Sequence, residues 1–421
     1  MTVRDEATGA DCDVLIAGGG MVGASLAAAL AGLPVRVTLV EQIPMGSPGQ
    51  PSFDARTTAL SRSSQHILAT LGIWPEVAEH ATPIRRIHVS ERGQLGTTVI
   101  DADEEGGEAL GYVVENRLLG AALWRAISSS PNVTVHSPAR VTQVDQSLDH
   151  LVVHVGQESA TTEIRTRLLV VADGASSPLR ASLGIAAKTR PYGQTAIVGS
   201  VAVEAPKVGL AYERFTADGP IALLPAGGSR YVFVVTRRSA SAEAVFALPD
   251  PAFLELLQRE FGFRLGRLER VGTRSRYPLG LVETAAVRTH RVAVIGNAAH
   301  GLHPVAGQGY NLGLRDAAAL AELVARPEAQ LVEETGRFDP GQTALLDRYA
   351  SWRRPDQRKV VAFTDGLIRL FDRNGSGGLF GPLRGLGLLL FDNAPGAKRL
   401  LARQTMGLAG RRTRLSRGLP L

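Results

Sequence analysis

The first residues able to support ligand chemistry are the glycines of "DVLIAGGGMVGASLAAAL" (residues 13–30). Gly18, Gly20 and Gly23 have the G-x-G-x-x-G spacing. The first glycine permits a tight turn, the second lets the backbone approach a pyrophosphate, and the third lets a helix pack closely on a strand. Glu41 ends the next apolar run, where a carboxylate accepts hydrogen bonds from a ribose and repels a 2′-phosphate. The pattern predicts a dinucleotide site rather than a merely glycine-rich turn, but it does not separate NAD from FAD.

A second glycine-rich crossing from strand to helix follows far along the chain, in "RVAVIGNAAHGLHPVAGQGYNLGLRDAAALAELV" (residues 291–324). Asn297 stands at the strand end, where a short polar side chain can bond a polyol. Gly307 and Gly309 let backbone N–H groups approach a flat ring, and the helix N-terminus stabilises negative charge on it, as a reduced flavin requires. The two crossings together favour a long ligand that both halves of the chain contact.

The elements that position these crossings give an α/β order. "VVADGASSPLR" places Asp173 and Gly174 just after another apolar strand. The chain from Tyr192 to Arg238 is rich in strands, and residues 343–371 have a helical pattern in which "WRRP" is expected to end a helical turn. We therefore predict a discontinuous Rossmann-like domain with an inserted sheet-rich domain and C-terminal helices.

Composition excludes several classes of protein. The chain has 421 residues, 44% of them hydrophobic, and a single cysteine, Cys12, which rules out a disulfide framework or a cysteine-based metal site. No metal site is expected. We see no signal-peptide pattern and no apolar run of about 18 residues that could span a membrane. A cytoplasmic protein is expected, at most peripheral at the inner face of the membrane, without a nucleic-acid partner.

The positive charge is concentrated at the C-terminus. The chain carries +6, whereas residues 398–421 contain seven Lys or Arg and no Asp or Glu, so the rest of the chain carries −1. Such a tail is either disordered and solvated or a contact for an anionic membrane surface or an acidic partner in a biosynthetic complex. Oligomeric state cannot be predicted from the sequence.

Four stretches resemble one enzyme family in order and spacing: "GGGMVG", "DARTTALS", "VVADGASSPLR" and "GNAAHGLHPVAGQGYNLGLRD". The sequence is similar to the FAD-dependent hydroxylases of ubiquinone biosynthesis, which share the para-hydroxybenzoate hydroxylase fold. Asn297 stands where that family usually has Asp, and this departure resembles the 2-octaprenyl-6-methoxyphenol hydroxylase type. The resemblance assigns residues 1–80, 110–182 and 272–345 to an FAD-binding domain, 81–109 and 183–271 to a substrate domain, and 346–421 to a C-terminal helical region with the basic tail.

The resemblance also implies which residues contact FAD. The ADP half would be held by Gly18, Gly20, Gly23 and Glu41, and the ribitol would meet Asn297. Arg56 and Arg117 would approach the diphosphate or the flavin, or are ordinary surface arginines. The remaining expected contacts are Asp173, Gly174 and, around the flavin ring, Pro304, Gly307, Gln308, Gly309, Tyr310, Asn311 and Leu312.

The implied reaction is hydroxylation of an aromatic ring, expected to be a prenylated phenol, with NADPH or NADH as electron donor and O₂ as co-substrate, through a hydroperoxide at flavin C4a. Pro304, Gly307 and Gln308 would form the ring environment, and no protein nucleophile is needed. His300 and His303 could deprotonate a phenol, but bonding a backbone carbonyl or packing beside the ring is the favoured alternative. The substrate wall is expected at Tyr212, Arg214, Phe215 and Pro225. The alternatives are a flavin-dependent dehydrogenase or reductase, a hydroxylase of another aromatic compound, and a flavin-binding scaffold without activity.

Overall fold

The computed structural model describes residues 9–44, 46–47, 56–157, 160–326, 338–371 and 380–421. The residues Asp54 and Ala55 of the "DARTTALS" stretch lie outside this set. Its strands are β1 (Cys12–Ala17), β2 (Val37–Val40), β3 (Thr57–Ser61), β4 (Thr82–Ile84), β5 (Arg86–Glu91), β6 (Thr97–Asp101), β7 (Gly111–Glu115), β8 (Val133–His136), β9 (Arg140–Gln146), β10 (Leu151–Gln157), β11 (Ala160–Val171), β12 (Ala187–Val203), β13 (Leu210–Thr216), β14 (Gly219–Pro225), β15 (Arg230–Arg238), β16 (Leu268–Val271), β17 (Ser275–Thr284), β18 (Arg288–Thr289), β19 (Val292–Val294) and β20 (His300–Gly301). Its helices are α1 (Met21–Leu30), α2 (Arg62–Thr70), α3 (Trp74–Val77), α4 (Asn116–Ser128), α5 (Pro178–Ser182), α6 (Ser239–Phe246), α7 (Asp250–Phe261), α8 (Gln308–Ala325), α9 (Thr343–Phe371), α10 (Phe380–Asp392) and α11 (Pro395–Thr405).

The first sheet brings the three glycine-containing loops to one edge. Its order is β18-β19-β11-β1-β2-β8, with β10 paired to β11 and β9 paired to β10. Strands β19, β11, β1, β2 and β8 run parallel to one another. Strands β1 and β19 are almost wholly apolar and buried, as expected for parallel strands covered on both faces. Because the carboxyl ends of parallel strands meet at the same edge, the loops after β1, β11 and β19 lie side by side. The predicted α/β fold class is confirmed.

The second sheet has the order β20-β17-β12-β15-β14-β13-β5-β6, with β16 paired to β12. One face packs on α7 through a buried cluster that includes Tyr212, Phe233, Phe253 and Phe261. The opposite face, including Phe215, lines a cavity. A small third sheet has the order β3-β7-β4; along the chain, β3 and β4 precede β5 and β6 of the second sheet, and β7 follows them.

Two predicted domain boundaries need correction. Strand β17 (Ser275–Thr284) pairs with β12 over most of its length, so it belongs to the second sheet and not to the region from 272 to 345 assigned to the FAD-binding domain. Strand β4 (Thr82–Ile84) pairs with β7, so it does not belong to the substrate sheet. Both strands stand at points where the chain passes between sheets, and apolar alternation does not reveal which partner a strand has.

The C-terminal region is packed rather than solvated. Helix α9 runs through Pro355 without ending at "WRRP", and Ser351, whose carbonyl loses its helical N–H partner to the proline, is an exposed residue. In the basic tail, the Arg411 guanidinium lies 4.0 Å from the Trp352 ring centroid, and the backbone N–H of Arg414 donates to Glu322. The expectation of a disordered, solvated tail is therefore wrong for the residues from 398 to 421.

Candidate active site

The three glycines of the first crossing have three different structural roles. A Cβ on Gly23 would lie 1.9 Å from the Gly18 carbonyl oxygen, so α1 packs on this loop as only glycine allows. Gly18 has φ +109°, and a Cβ there would lie 2.5 Å from the Ala172 oxygen. A Cβ on Gly20 would meet no heavy atom within 4 Å, and Gly20 faces the cavity. The loop thus leaves open space in front of the helix N-terminus, at the place where the spacing predicts a pyrophosphate.

Glu41 lies beside this loop, at the end of β2. It is 7% exposed, and its carboxylate accepts from the Gly19 N–H at 2.5 Å and the Ile43 N–H at 2.8 Å. Each carboxylate oxygen can accept a further hydrogen bond, and Glu41 belongs to the cavity lining. The arrangement fixes the carboxylate at the mouth of the glycine loop.

The loop after β11 is held by its own polar side chains. Asp173 accepts hydrogen bonds from the Ser177 hydroxyl and, at 3.3 Å, from the Leu179 N–H, and burial raises the pKa of Asp173. Gly174 has φ +92°, which favours glycine. Arg180 is buried and donates from Nη1 to the Ala298 oxygen at 2.8 Å. This last bond joins the loop after β11 to the loop after β19.

The loop after β19 leads into α8, and Asn311 ties it to β3. The Asn311 amide donates to the oxygens of Ala59 and Gly307, and its oxygen accepts from the Ser61 N–H and the Ser64 hydroxyl. Both N–H groups of this buried amide donate a hydrogen bond and its oxygen accepts two, so its role in the structure is to hold the loop.

The same loop leaves open space at the start of α8. Gly307 has φ +60° and precedes the helix. Asn297 is exposed within the cavity lining, and its Oδ1 lies 4.0 Å from the position of a Cβ on Gly309. Asn297 and the first turn of α8 therefore face the same space. The Tyr310 hydroxyl meets the Ser25 hydroxyl at 2.9 Å, which joins α8 to α1.

The two histidines of this segment have different partners. His300 is buried, and its Nε2 lies 2.5 Å from Asp316, whose carboxylate also accepts from Arg353 and Gln357. Burial alone would raise the pKa of Asp316, but Arg353 and His300 outweigh it and hold that pKa at about 2. His300 thus belongs to a buried charged network and bonds a carboxylate instead of a backbone carbonyl.

His303 lines the cavity but is poorly suited to accept a proton. Its Nδ1 accepts from the Val305 N–H at 3.1 Å, which leaves the proton of the neutral ring on Nε2, 3.3 Å from Gln194 Oε1. Its ring meets Tyr192 edge-on at 5.4 Å, and burial lowers the pKa of His303 to about 4. This geometry is the packing alternative that the sequence favoured.

Several predicted residues lie away from the cavity lining. Arg117 pairs with Glu115, and its side chain is 57% exposed. Arg56, by contrast, lines the cavity with its guanidinium 4.7 Å from the Tyr277 ring centroid. Gly23, Leu312 and Pro225 are not part of the lining, whereas Gln308 and Tyr310 are.

Of the four residues expected to form the substrate wall, Tyr212 and Phe215 belong to the cavity lining, whereas Arg214 and Pro225 do not. Arg214 donates to the Glu260 oxygen and to Ser90 on the α7 side of the sheet, and the Tyr212 ring packs on Phe261 on that side. Because side chains alternate along a strand, Glu213 and Phe215 face the other way, toward the cavity that they line. The sequence analysis missed Glu213, although "AYERF" places it two residues from the phenylalanine that it did select.

All these loops open into one cavity of 1860 Å³. This is about twice the volume of a pocket for one small ligand. Its lining includes the glycine loop and Glu41, and also apolar side chains of the C-terminal helices that could not be identified from the sequence. The latter are Phe363, Leu367, Phe371, Leu388, Phe391, Leu401 and Met406. Within the described ranges no group of three or more His, Cys, Asp or Glu could hold a metal ion.

Comparison with known proteins shows the family to which this chain belongs. Residues 11–364 match the model of the FAD binding domain family. The chain is 40% identical over 417 residues to the ubiquinone hydroxylase UbiL of Rhodospirillum rubrum, covering 97% of this chain and 93% of that protein. It is 31% identical over 402 residues to the 3-demethoxyubiquinol 3-hydroxylase of Escherichia coli, covering 94% and 98%. In fold it is similar to the p-nitrophenol 4-monooxygenase PnpA of Pseudomonas putida, with a TM-score of 0.78 at 19% identity over 95% of this chain and 99% of that one.

Proposed function

Because this chain belongs to the FAD binding domain family, among its flavin-dependent hydroxylases of ubiquinone biosynthesis, we propose that it inserts one oxygen atom of O₂ into a prenylated phenol with NADPH or NADH as the electron donor. The main support for the proposal is that one cavity is lined both by the glycine loop after β1 and by the apolar side chains of the C-terminal helices, a part of the lining that we call the chamber. A dinucleotide fits the first part, and an aromatic ring with an isoprenoid chain fits the second.

The residues present fit FAD. Gly20 leaves open space before the N-terminus of α1, where backbone N–H groups and the helix dipole favour a diphosphate. Glu41 offers carboxylate lone pairs to a ribose hydroxyl at the end of β2, as the fingerprint requires. Asn297 and the first turn of α8 border the space proposed for the ribitol and the ring. Asp173, Gly174, Arg56, Pro304 and Gln308 line the same cavity and are proposed as further contacts.

When bound, FAD supplies electron transfer from NAD(P)H and the activation of O₂. The chain's own residues bind the ring of the substrate, orient it and exclude water. The walls of the chamber suit this task because they are apolar: Phe215 stacks on Phe371 with ring centroids 3.7 Å apart, and both belong to one buried cluster with Val305. That cluster joins the substrate wall to the segment proposed to face the flavin.

We also propose that the C-terminal helices contact the membrane from which such a substrate is drawn. Along α10, Leu388 lines the cavity while Leu386, Leu389 and Leu390 are 52%, 42% and 64% exposed. One helix thus presents apolar side chains to the chamber and to the outside. Within the described residues, no helix has the length and hydropathy to cross a membrane.

Sedimentation with vesicles tests the contact. Replacing Leu389 and Leu390 by Asp should reduce sedimentation with vesicles containing anionic lipid, with flavin content unchanged. Leu148→Asp is the matched control, because Leu148 is 84% exposed and lies between β9 and β10 on the first sheet. Equal sedimentation of all three proteins would remove α10 from the contact.

Product analysis tests the reaction itself. The purified protein, NADPH or NADH, O₂ and a panel of prenylated phenols should yield a product heavier by one oxygen atom, as read by mass spectrometry. Reductant oxidation without any oxygenated product would instead support a dehydrogenase or reductase on this fold.

A further inference from the structure

One carboxyl group lies in the part of the cavity proposed for the aromatic ring. Glu213 is on β13, between Ala211 and Phe215 on the same face of the strand, and all three line the cavity. Its neighbours across the sheet are Val89 on β5 and Ala222 on β14, both apolar and both in the lining. The wall around this carboxyl group is therefore hydrophobic.

Glu213 is also near the segment proposed to face the flavin. Phe215, roughly 7 Å farther along the strand, belongs to one buried cluster with Val305. Pro304 and Gln308, on either side of that cluster, line the same cavity. A ring lying between β13 and this segment would reach both.

Three carboxylates line the cavity, and Glu213 differs from the other two. Glu41 accepts two backbone N–H bonds, and Asp173 accepts from Ser177 and Leu179. Among the described residues, no hydrogen bond or ion pair of the protein reaches the Glu213 side chain. Burial alone raises the pKa of Glu213 to about 7. By solvent exposure Glu213 is only partly buried, but its carboxyl group lies in an apolar part of the cavity wall without a protein partner, which points to a ligand as its partner.

The charged and titratable groups of the adjoining elements face elsewhere or are occupied. On β13 and β5, Arg214 and His88 lie on the α7 side of the sheet, where His88 stacks near Tyr212. Across the cavity, His303 has its Nδ1 lone pair occupied by the Val305 N–H, and Tyr277 is capped by Arg56. Glu213 is thus the group in this chamber best placed to take up a proton.

We propose that Glu213 is the catalytic base that accepts the phenolic proton of the substrate. This inference rests on the proposed function, since it requires that the substrate be a phenol. The phenol O–H bond breaks, the proton joins the Glu213 carboxylate, and the O–H electron pair stays on oxygen as a phenolate, which makes the ring a better nucleophile toward the activated oxygen.

The proton balance closes within the turnover. The ring carbon gains a hydroxyl group, the phenolate oxygen becomes a carbonyl, and the ring C–H proton then leaves as Glu213 returns its own proton to that oxygen. The sum is phenol, O₂, NAD(P)H and H⁺ giving a dihydroxylated ring, NAD(P)⁺ and water. Two electrons from NAD(P)H and two from the ring reduce O₂, and Glu213 ends as it began.

The test compares Glu213→Gln with the wild-type enzyme. Gln keeps the size and polarity of Glu but cannot accept the proton. Hydroxylation by the wild-type enzyme should fall as pH drops through the region near 7, whereas the variant should be slower by about 100-fold or more at pH 8 and lack this acid limb. FAD content should be the same in both proteins. Glu283→Gln, an exposed position on β17 of the same sheet, is the control and should behave as wild type.

A second measurement separates a base from a merely structural side chain. A fluorinated phenol that is already ionised at the assay pH needs no base, so it should restore most of the lost rate to Glu213→Gln. Failure of that rescue, or a wild-type pH profile in the variant, overturns the role of Glu213 while the proposed function stands. A wild-type enzyme that hydroxylates none of the phenols overturns the proposed function and this inference with it.

Discussion

The space around Gly20 gives the sharpest prediction about the cofactor. In Gly20→Val the added Cβ meets no heavy atom within 4 Å, and the backbone at φ −60° and ψ 173° suits any L-residue. Loss of an N-cap glycine should therefore cost the apoprotein at most about 1 kcal/mol. The branched side chain would instead occupy the place of the pyrophosphate. Losing two charge-assisted bonds, at about 1.5–3 kcal/mol each, weakens FAD binding by roughly 100- to 10,000-fold.

The assay combines flavin absorbance of the purified protein with an FAD titration of the apoprotein, followed by flavin fluorescence. Gly23→Ala is the contrasting variant: its Cβ would lie 1.9 Å from the Gly18 oxygen, so it should lower the melting temperature of the apoprotein itself. The reasoning is refuted if Gly20→Val binds FAD like the wild type. It is also refuted if Gly20→Val unfolds while Gly23→Ala does not.

Three further predictions follow from buried or cavity-lining groups. Burial raises the pKa of Glu213 from 4.5 to about 7, so the protonated form stabilises the folded state and this stability is lost as pH rises through 7. Relative to Glu213→Gln, the wild-type free energy of unfolding in urea should fall by on the order of 3 kcal/mol between pH 4.5 and 8. Parallel pH curves for the two proteins would disprove this. Arg353→Met removes the guanidinium that pairs with the fully buried Asp316 carboxylate and leaves His300 as its remaining basic partner. The change should cost about 3–5 kcal/mol in urea unfolding. A loss below about 1 kcal/mol would show that the pair with Arg353 contributes little. Gly309→Leu fills the space facing Asn297 and should weaken FAD binding in a folded protein. Pro304→Ala should keep FAD but yield more hydrogen peroxide and less product per NADPH. If both variants keep the wild-type flavin content and the wild-type ratio of product to NADPH, the glycine-rich segment between β19 and α8 is a structural turn only.

Much of the fold could be predicted because the relevant signals are local. The bounds of α9 follow from helical periodicity, and those of β1 and α1 from an apolar run that is interrupted by glycines. The meeting of the three loops follows from parallel strand order, since all three follow strands of one sheet. These features depend on neighbours in sequence or on a general rule of sheet topology.

The parts that could not be predicted depend on contacts between distant segments. On β13 both faces are largely apolar, one against α7 and one against the cavity, so alternation alone did not tell whether Arg214 or Glu213 faces the ligand. The closure of the chamber by Leu388 and Phe391 depends on how α10 packs, which periodicity does not give. The packing of the tail depends on partners such as Trp352, about 60 residues before Arg411 along the chain.

The most direct test of the account is the fate of molecular oxygen. The purified holoenzyme would be incubated with NADPH, ¹⁸O₂ and a prenylated phenol in ordinary water, and the product examined by mass spectrometry. We expect one ¹⁸O atom in the hydroxylated ring, and none when ¹⁶O₂ is used with H₂¹⁸O. A product that takes its oxygen from water, or NADPH oxidation that yields no oxygenated product from any phenol tested, would contradict it.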